Sequence, residues 1–161
     1  MAYYSMWLFL WDDVIEDKAT ESDAGPDCDK VEWLHTKALE YAAFHLGVGD
    51  TEDEPLPPTK YCTLFRHAAD RLREDMDLDQ RRAFLGEIGF YMGCCEIEQD
   101  YVRAGGLPSI EAFWSHRLGT SSVYTYNALG EYMIGGKIPE ELFRTEELKI
   151  IWNELNCHIF M

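Results

Sequence analysis

Apolar residues recur along most of this chain at intervals of three and four, the spacing that places them on one face of an α-helix. Residues 2–17 begin with an apolar run, Trp7-Leu-Phe-Leu-Trp11, which stops at Asp12 and Asp13, with Glu16 one turn further on. Residues 31–46 hold Val31, Leu34, Ala38, Tyr41, Ala42 and His45 near a 3.6-residue repeat. Thr59 is expected to cap a third helix, with Leu64, Phe65, Ala68 and Leu72 as its stripe. The longest predicted helix covers 79–103, although Gly86, Gly89 and Gly93 lower its propensity unless they permit close packing. Gly105-Gly106 ends it, and Pro108-Ser109 starts the next, over 109–133. Gly119-Thr-Ser-Ser122 should bend or break that helix, because glycine and hydroxylated side chains favour it weakly. A short helix after Pro139 and a last one over 146–161 complete the pattern. Residues 20–29 and 47–58, rich in acids and turn residues, read as loops. No segment alternates as a strand does. The expectation is one all-α domain over 1–161.

The first helix is apolar on nearly every side, which predicts burial on all faces. It is too short to span a bilayer. It has neither the basic flank nor the cleavage site of a signal peptide, and no membrane span is expected; the cysteine pattern below makes a reducing cytoplasm the simplest compartment.

Charge narrows the partners. Fourteen basic against thirty acidic residues give a net charge of −16, with no basic stripe. That excludes nucleic acid and an anionic membrane surface. An anionic substrate would need metal ions or a few placed arginines. The five cysteines (Cys28, Cys62, Cys94, Cys95, Cys157) are odd in number and lack a CxxC pair, so they form neither a disulfide framework nor a zinc site. The five histidines stand far apart, outside any metal-motif spacing, and read as structural.

Candidate chemistry begins with the acids after the apolar run. On a helix Asp12 and Glu16 stand at i and i+4, and Asp13 and Glu16 at i and i+3, so their carboxylates share a face. Like charges this close repel, and at a helix C-terminus they would also oppose the macrodipole. One reading is a solvated helix end. The other is a cation site, and hard oxygen ligands of this kind suit Mg²⁺, which typically takes one or two carboxylates and fills its shell with water and phosphate. A second group is Arg117-Leu-Gly-Thr120-Ser121-Ser122 at the expected helix break. Arg117 there either pairs with a surface acid or grips phosphate oxygens bidentately, with freed N–H groups and hydroxyls adding donors.

Phe9-Leu-Trp-Asp-Asp-Val-Ile-Glu16 resembles the aspartate-rich motif of class I terpene cyclases, the fungal sesquiterpene cyclases in particular. Residues 80–104, 107–113 and 117–123 are similar to later helices of the same family, so the resemblance covers nearly the whole chain. It implies part of the α-helical bundle of isoprenoid synthases, around an apolar cavity that binds a prenyl diphosphate such as farnesyl diphosphate with Mg²⁺. The activity implied is that of a carbon–oxygen lyase acting on diphosphates. Asp12 would be the principal metal ligand, supported by Asp13 and Glu16. Arg117 would be the diphosphate-sensing arginine, catalytic together with Asp12. Thr120 and Ser121 would be the helix-break positions that relay substrate binding. Phe9 and Leu8, one turn before Asp12, would line the cavity or else pack in the core.

The chain departs from the family pattern at its second metal motif, an Asn-Asp-x-x-Ser-x-x-x-Glu run. Asn153 is followed at +4 by Cys157 and at +8 by Met161, and Asn156 at +4 by Phe160. The expectation is therefore the central portion of a cyclase catalytic domain, with apolar helix faces exposed and available for self-association. A catalytically inactive helical fragment is the alternative. A prenyl-chain elongating synthase is a third reading, weakened by the lack of a second aspartate-rich motif.

Overall fold

A computed structural model describes the backbone of residues 1–20, 28–143 and 145–160, and the side chains of these except 17–20, 28, 29, 140, 143, 159 and 160. The loop expected over 20–29 lies largely outside the described residues. Every regular element among the described residues is an α-helix: α1 (Ala2–Thr20), α2 (Cys28–Leu46), α3 (Cys62–Asp75), α4 (Leu78–Arg103), α5 (Ile110–Thr120), α6 (Val123–Ala128), α7 (Gly130–Ile134), α8 (Glu140–Phe143) and α9 (Glu146–Phe160). The all-α expectation holds. Among these residues no helix is long and apolar enough to cross a membrane. The chain gathers into two compact units, Met1–Leu85 and Gly86–Met161.

In the first unit, α1, α2 and α3 pack around an aromatic core. Tyr4, Trp7, Leu8, Trp11 and Ile15 of α1 are buried, a stripe at helical spacing. Trp7 meets Phe65 of α3 edge-on with ring centroids 4.9 Å apart, and Tyr4 meets Phe84 at 5.2 Å. Such pairs add to the burial of large rings. The opposite side of α1 is open, with Phe9 70% exposed and Tyr3 and Met6 about half exposed. Burial on all faces, expected from composition, is therefore corrected: α1 has one covered face, and a helix apolar all round need not be covered all round. Leu8 belongs to the core.

Two boundaries also differ from the sequence expectation. The third helix begins at Cys62, behind Tyr61, which makes no side-chain cap. Thr59 closes a preceding turn instead, its carbonyl accepting from the Cys62 N–H at 3.1 Å. α4 begins behind Asp77, where a reciprocal box stands in for the first turn. The Asp77 carboxylate accepts from the Gln80 N–H and the Gln80 side chain accepts from the Asp77 N–H, each at 3.0 Å.

In the second unit, α4 runs unbroken through Gly89 and Gly93, because one face of Ile88, Tyr91, Met92 and Cys95 is buried. Packing outweighs the cost of about 1 kcal/mol per helical glycine. Ser109 caps α5, its hydroxyl accepting from the Ala112 N–H at 3.2 Å. The expected break appears between α5 and α6. A second interruption, not anticipated, falls at Leu129, whose N–H is shared between the carbonyls of Thr125 and Tyr126. Gly135 closes α7 at φ +66°, a left-handed cap that favours glycine. α9 inverts the usual pattern: Ile150, Ile151 and Leu155 are exposed, while Asn156 is wholly buried.

Candidate functional site

The acid cluster lies on the open face of α1. Asp12, Asp13 and Glu16 are all exposed, and Phe9 precedes Asp12 and Asp13 by three and four residues on that same side. Because α1 continues to Thr20, the acids stand a full turn before the helix end. The macrodipole argument for a counter-cation therefore loses its force, since that effect is confined to the last turn. What remains is the donor set itself. Among the described residues no three His, Cys, Asp or Glu side chains converge closely enough to enclose a metal ion. Adjacent exposed carboxylates on one face nonetheless fit Mg²⁺, which needs only one or two and takes its other ligands from water and phosphate.

The arginine segment lies in the second unit. Arg117 sits in the last turn of α5, with Nη1 3.2 Å from the Thr120 hydroxyl and 3.8 Å from Glu98 Oε1 on α4. Both members of that ion pair keep more than a third of their side-chain surface in solvent. The surface-acid partner considered for Arg117 is thus real, and Glu98 supplies it. Such a pair is worth at most about 1 kcal/mol.

The break behind Arg117 is built from three local devices. Ser122 takes the left-handed conformation at φ 59°, which is costly for a non-glycine residue and ends the α5 helix geometry. Its hydroxyl lies 2.9 Å from that of Thr125, both buried. Gly119 lies so close to α4 that a Cβ there would overlap the Cys94 thiol and stand 2.8 Å from the Cys94 Cβ. Burial, aided by the nearby Glu98 carboxylate, pushes the Cys94 thiol above its ordinary pKa and keeps it neutral. Ser121 turns inward, with its Oγ 2.7 Å from Asn156 Oδ1, 2.9 Å from the Leu118 carbonyl and 3.2 Å from the Val123 N–H that it accepts. Asn156 donates to the same Leu118 carbonyl at 2.9 Å.

The residues named from sequence therefore form two groups. Asp12, Asp13, Glu16 and Phe9 share one face of α1, and Arg117, Thr120 and Ser121 share the break between α5 and α6. Glu98 was not named from sequence, Gly119 was read only as part of the helix break, and Asn156 only against the second metal motif. Glu98 and Gly119 act through helix packing, which no local pattern reveals. An asparagine on the Leu148-Trp152-Asn156 side of α9 was the one available signal.

The family model described as terpene synthase family 2, C-terminal metal binding, matches residues 3–161. Among curated proteins, the chain is 33% identical over 165 residues to the sesquiterpene cyclase hepA of Aspergillus oryzae (strain ATCC 42149 / RIB 40). That match covers 98% of this chain and 44% of the relative, so the chain spans less than half the length of the curated protein it resembles. No solved structure matches.

Proposed function

The chain belongs to the terpene synthase family, and on that premise we propose that it serves sesquiterpene cyclisation, a Mg²⁺-dependent ionisation and ring closure of a prenyl diphosphate such as farnesyl diphosphate. One observation carries the reading: an open face of α1 that passes from apolar Phe9 to the carboxylates of Asp12, Asp13 and Glu16. An allylic diphosphate has the same polarity, a hydrocarbon chain ending in a dense anion.

In this reading Asp12 is the principal metal ligand, with Asp13 and Glu16 supporting it. The bound metal would supply Lewis-acid stabilisation of the charge gathering on the departing oxygens. Arg117 donates N–H bonds to the diphosphate, and its planar fork matches two oxygens at once. Thr120, already bonded to Arg117, follows its movement. The carbon–oxygen bond then breaks with both electrons going to diphosphate, leaving an allylic cation on the hydrocarbon. Phe9 offers an aromatic face to that cation.

The second reading is a helical chain without catalysis of its own. Incubating the purified chain with Mg²⁺ and farnesyl diphosphate separates the two. A volatile hydrocarbon that disappears in Asp12→Ala is the expected result. A folded chain that releases neither hydrocarbon nor diphosphate refutes catalysis by this chain.

A further inference from the structure

Asn156 and Thr125 are wholly buried polar side chains of the second unit, and the bonds of Asn156 point to a specific task. Its orientation is fixed by chemistry: the group facing the Leu118 carbonyl at 2.9 Å must be the amide nitrogen, since two acceptors would repel. Its oxygen then faces Ser121 Oγ at 2.7 Å. Ser121 has one hydrogen to give, for which the Asn156 oxygen and the Leu118 carbonyl at 2.9 Å are both acceptors, and its own oxygen receives the Val123 N–H that opens α6. One asparagine thereby ties the end of α5 to the start of α6. It also takes up the Leu118 carbonyl, which the end of α5 leaves without a helical N–H. Leu118 is the residue after Arg117, and Ser121 the residue after Thr120.

We propose that Asn156 is a positioning residue that sets the geometry of the helix break and through it the reach of Arg117 and Thr120 toward the substrate's diphosphate. The inference rests on the cyclase reading for its functional half. Ser121 on this view acts inward, as the link between Asn156 and the break, and Thr120 and Arg117 act outward. An apolar residue at 156 would remove both of its bonds and leave the half-buried Ser121 hydroxyl and Leu118 carbonyl, 2.9 Å apart, only each other, so the tie from the break to α9 would be lost.

The test is a double-mutant cycle with two readouts. Asn156→Asp keeps an acceptor for Ser121 but sets a carboxylate against the Leu118 carbonyl. Arg117→Lys keeps the charge and loses the fork. Steady-state diphosphate release from farnesyl diphosphate with Mg²⁺ is measured for wild type, both single variants and the double, scaled to folded protein. Each single change should lower kcat/KM by about tenfold or more, and the double should lie within about threefold of the weaker single, because both act through one group. Mere loss of fold would multiply, giving about a hundredfold drop. Amide hydrogen exchange over residues 118–123 should quicken in Asn156→Asp and in Ser121→Ala, the second serving if the first does not fold. Multiplying effects, or exchange at wild-type rates in both variants, overturn the positioning role while leaving the cyclase reading intact. A folded wild type that releases no diphosphate overturns that reading and the functional half with it.

Discussion

Gly119 offers the sharpest test of how α4 and α5 meet. Replacing it by alanine would place a methyl group on the Cys94 thiol, 2.8 Å from the Cys94 Cβ and 3.1 Å from a ring carbon of Phe90. Side chains can rotate away from a sulfur, but the Cβ of Cys94 is fixed to the α4 backbone, so the helices themselves must part. Overpacking of this kind costs about 1–3 kcal/mol. Alanine returns at most about 1 kcal/mol through helix propensity, and less so close to the end of α5. The net expectation for Gly119→Ala is a loss on the order of 1–2 kcal/mol. Gly93→Ala is the matched control, because nothing stands within 4 Å of a Cβ built there. It should gain roughly 0.5–1 kcal/mol from propensity alone. Urea unfolding followed by far-ultraviolet circular dichroism reads both. Cys94→Ala should relieve Gly119→Ala only in part, since it removes the sulfur and keeps the Cβ, whereas Cys94→Gly removes both obstacles. A Gly119→Ala protein as stable as wild type, or stability effects that simply add with Cys94→Gly, would refute the close approach.

Two further outcomes follow from the first unit. His45 is buried, and desolvation holds its pKa below the ordinary 6.5 against the opposite pull of Glu54, with Arg66, Asp70 and Arg73 also near. The unfolded chain then binds more protons, so stability should fall as pH drops through about 6.5 and flatten below the folded value; an unchanged slope in His45→Gln would contradict this. Trp7→Ala should cost about 3–5 kcal/mol and Phe9→Ala less than about 0.5 kcal/mol in urea unfolding, because Trp7 is core and Phe9 is not; comparable losses would show that the open face of α1 is misassigned.

The helices were legible from sequence because their signals are local. Ser109 caps α5 and Gly135 ends α7 as their chemistry predicts, and the weak helix formers at 119–122 mark a true break. Thr59 misled because a hydroxyl ahead of an apolar stripe also suits a turn. The reach of α1 to Thr20 was only partly legible: no glycine or proline stands before residue 20, but the acids from Asp12 to Asp17 also suit a helix end. Which side of α1 is covered depends on α2 and α3, which are distant in sequence, so uniform apolarity could not reveal it. The candidate acids and Arg117 could be read because charged residues in apolar surroundings stand out. Asn156 could not, since its partners Leu118 and Ser121 lie 38 and 35 residues away.

The charge balance of the arginine segment bears on how an anion would enter it. At Arg117 the partner Glu98 stands 3.8 Å away, beyond hydrogen-bond distance, and both groups remain wetted. A diphosphate can offer two charge-assisted bonds where Glu98 offers a loose pairing worth at most about 1 kcal/mol. In the proposed reaction the Thr120 hydroxyl, 3.2 Å from Arg117 Nη1, would follow the arginine toward the substrate. What must not move is the backbone that carries both. The left-handed Ser122, the methyl-free contact of Gly119 with Cys94 and the buried amide of Asn156 hold that backbone from three directions. In the proposed reaction a firmly held break would let the Arg117 side chain turn to the substrate while its backbone stays in place.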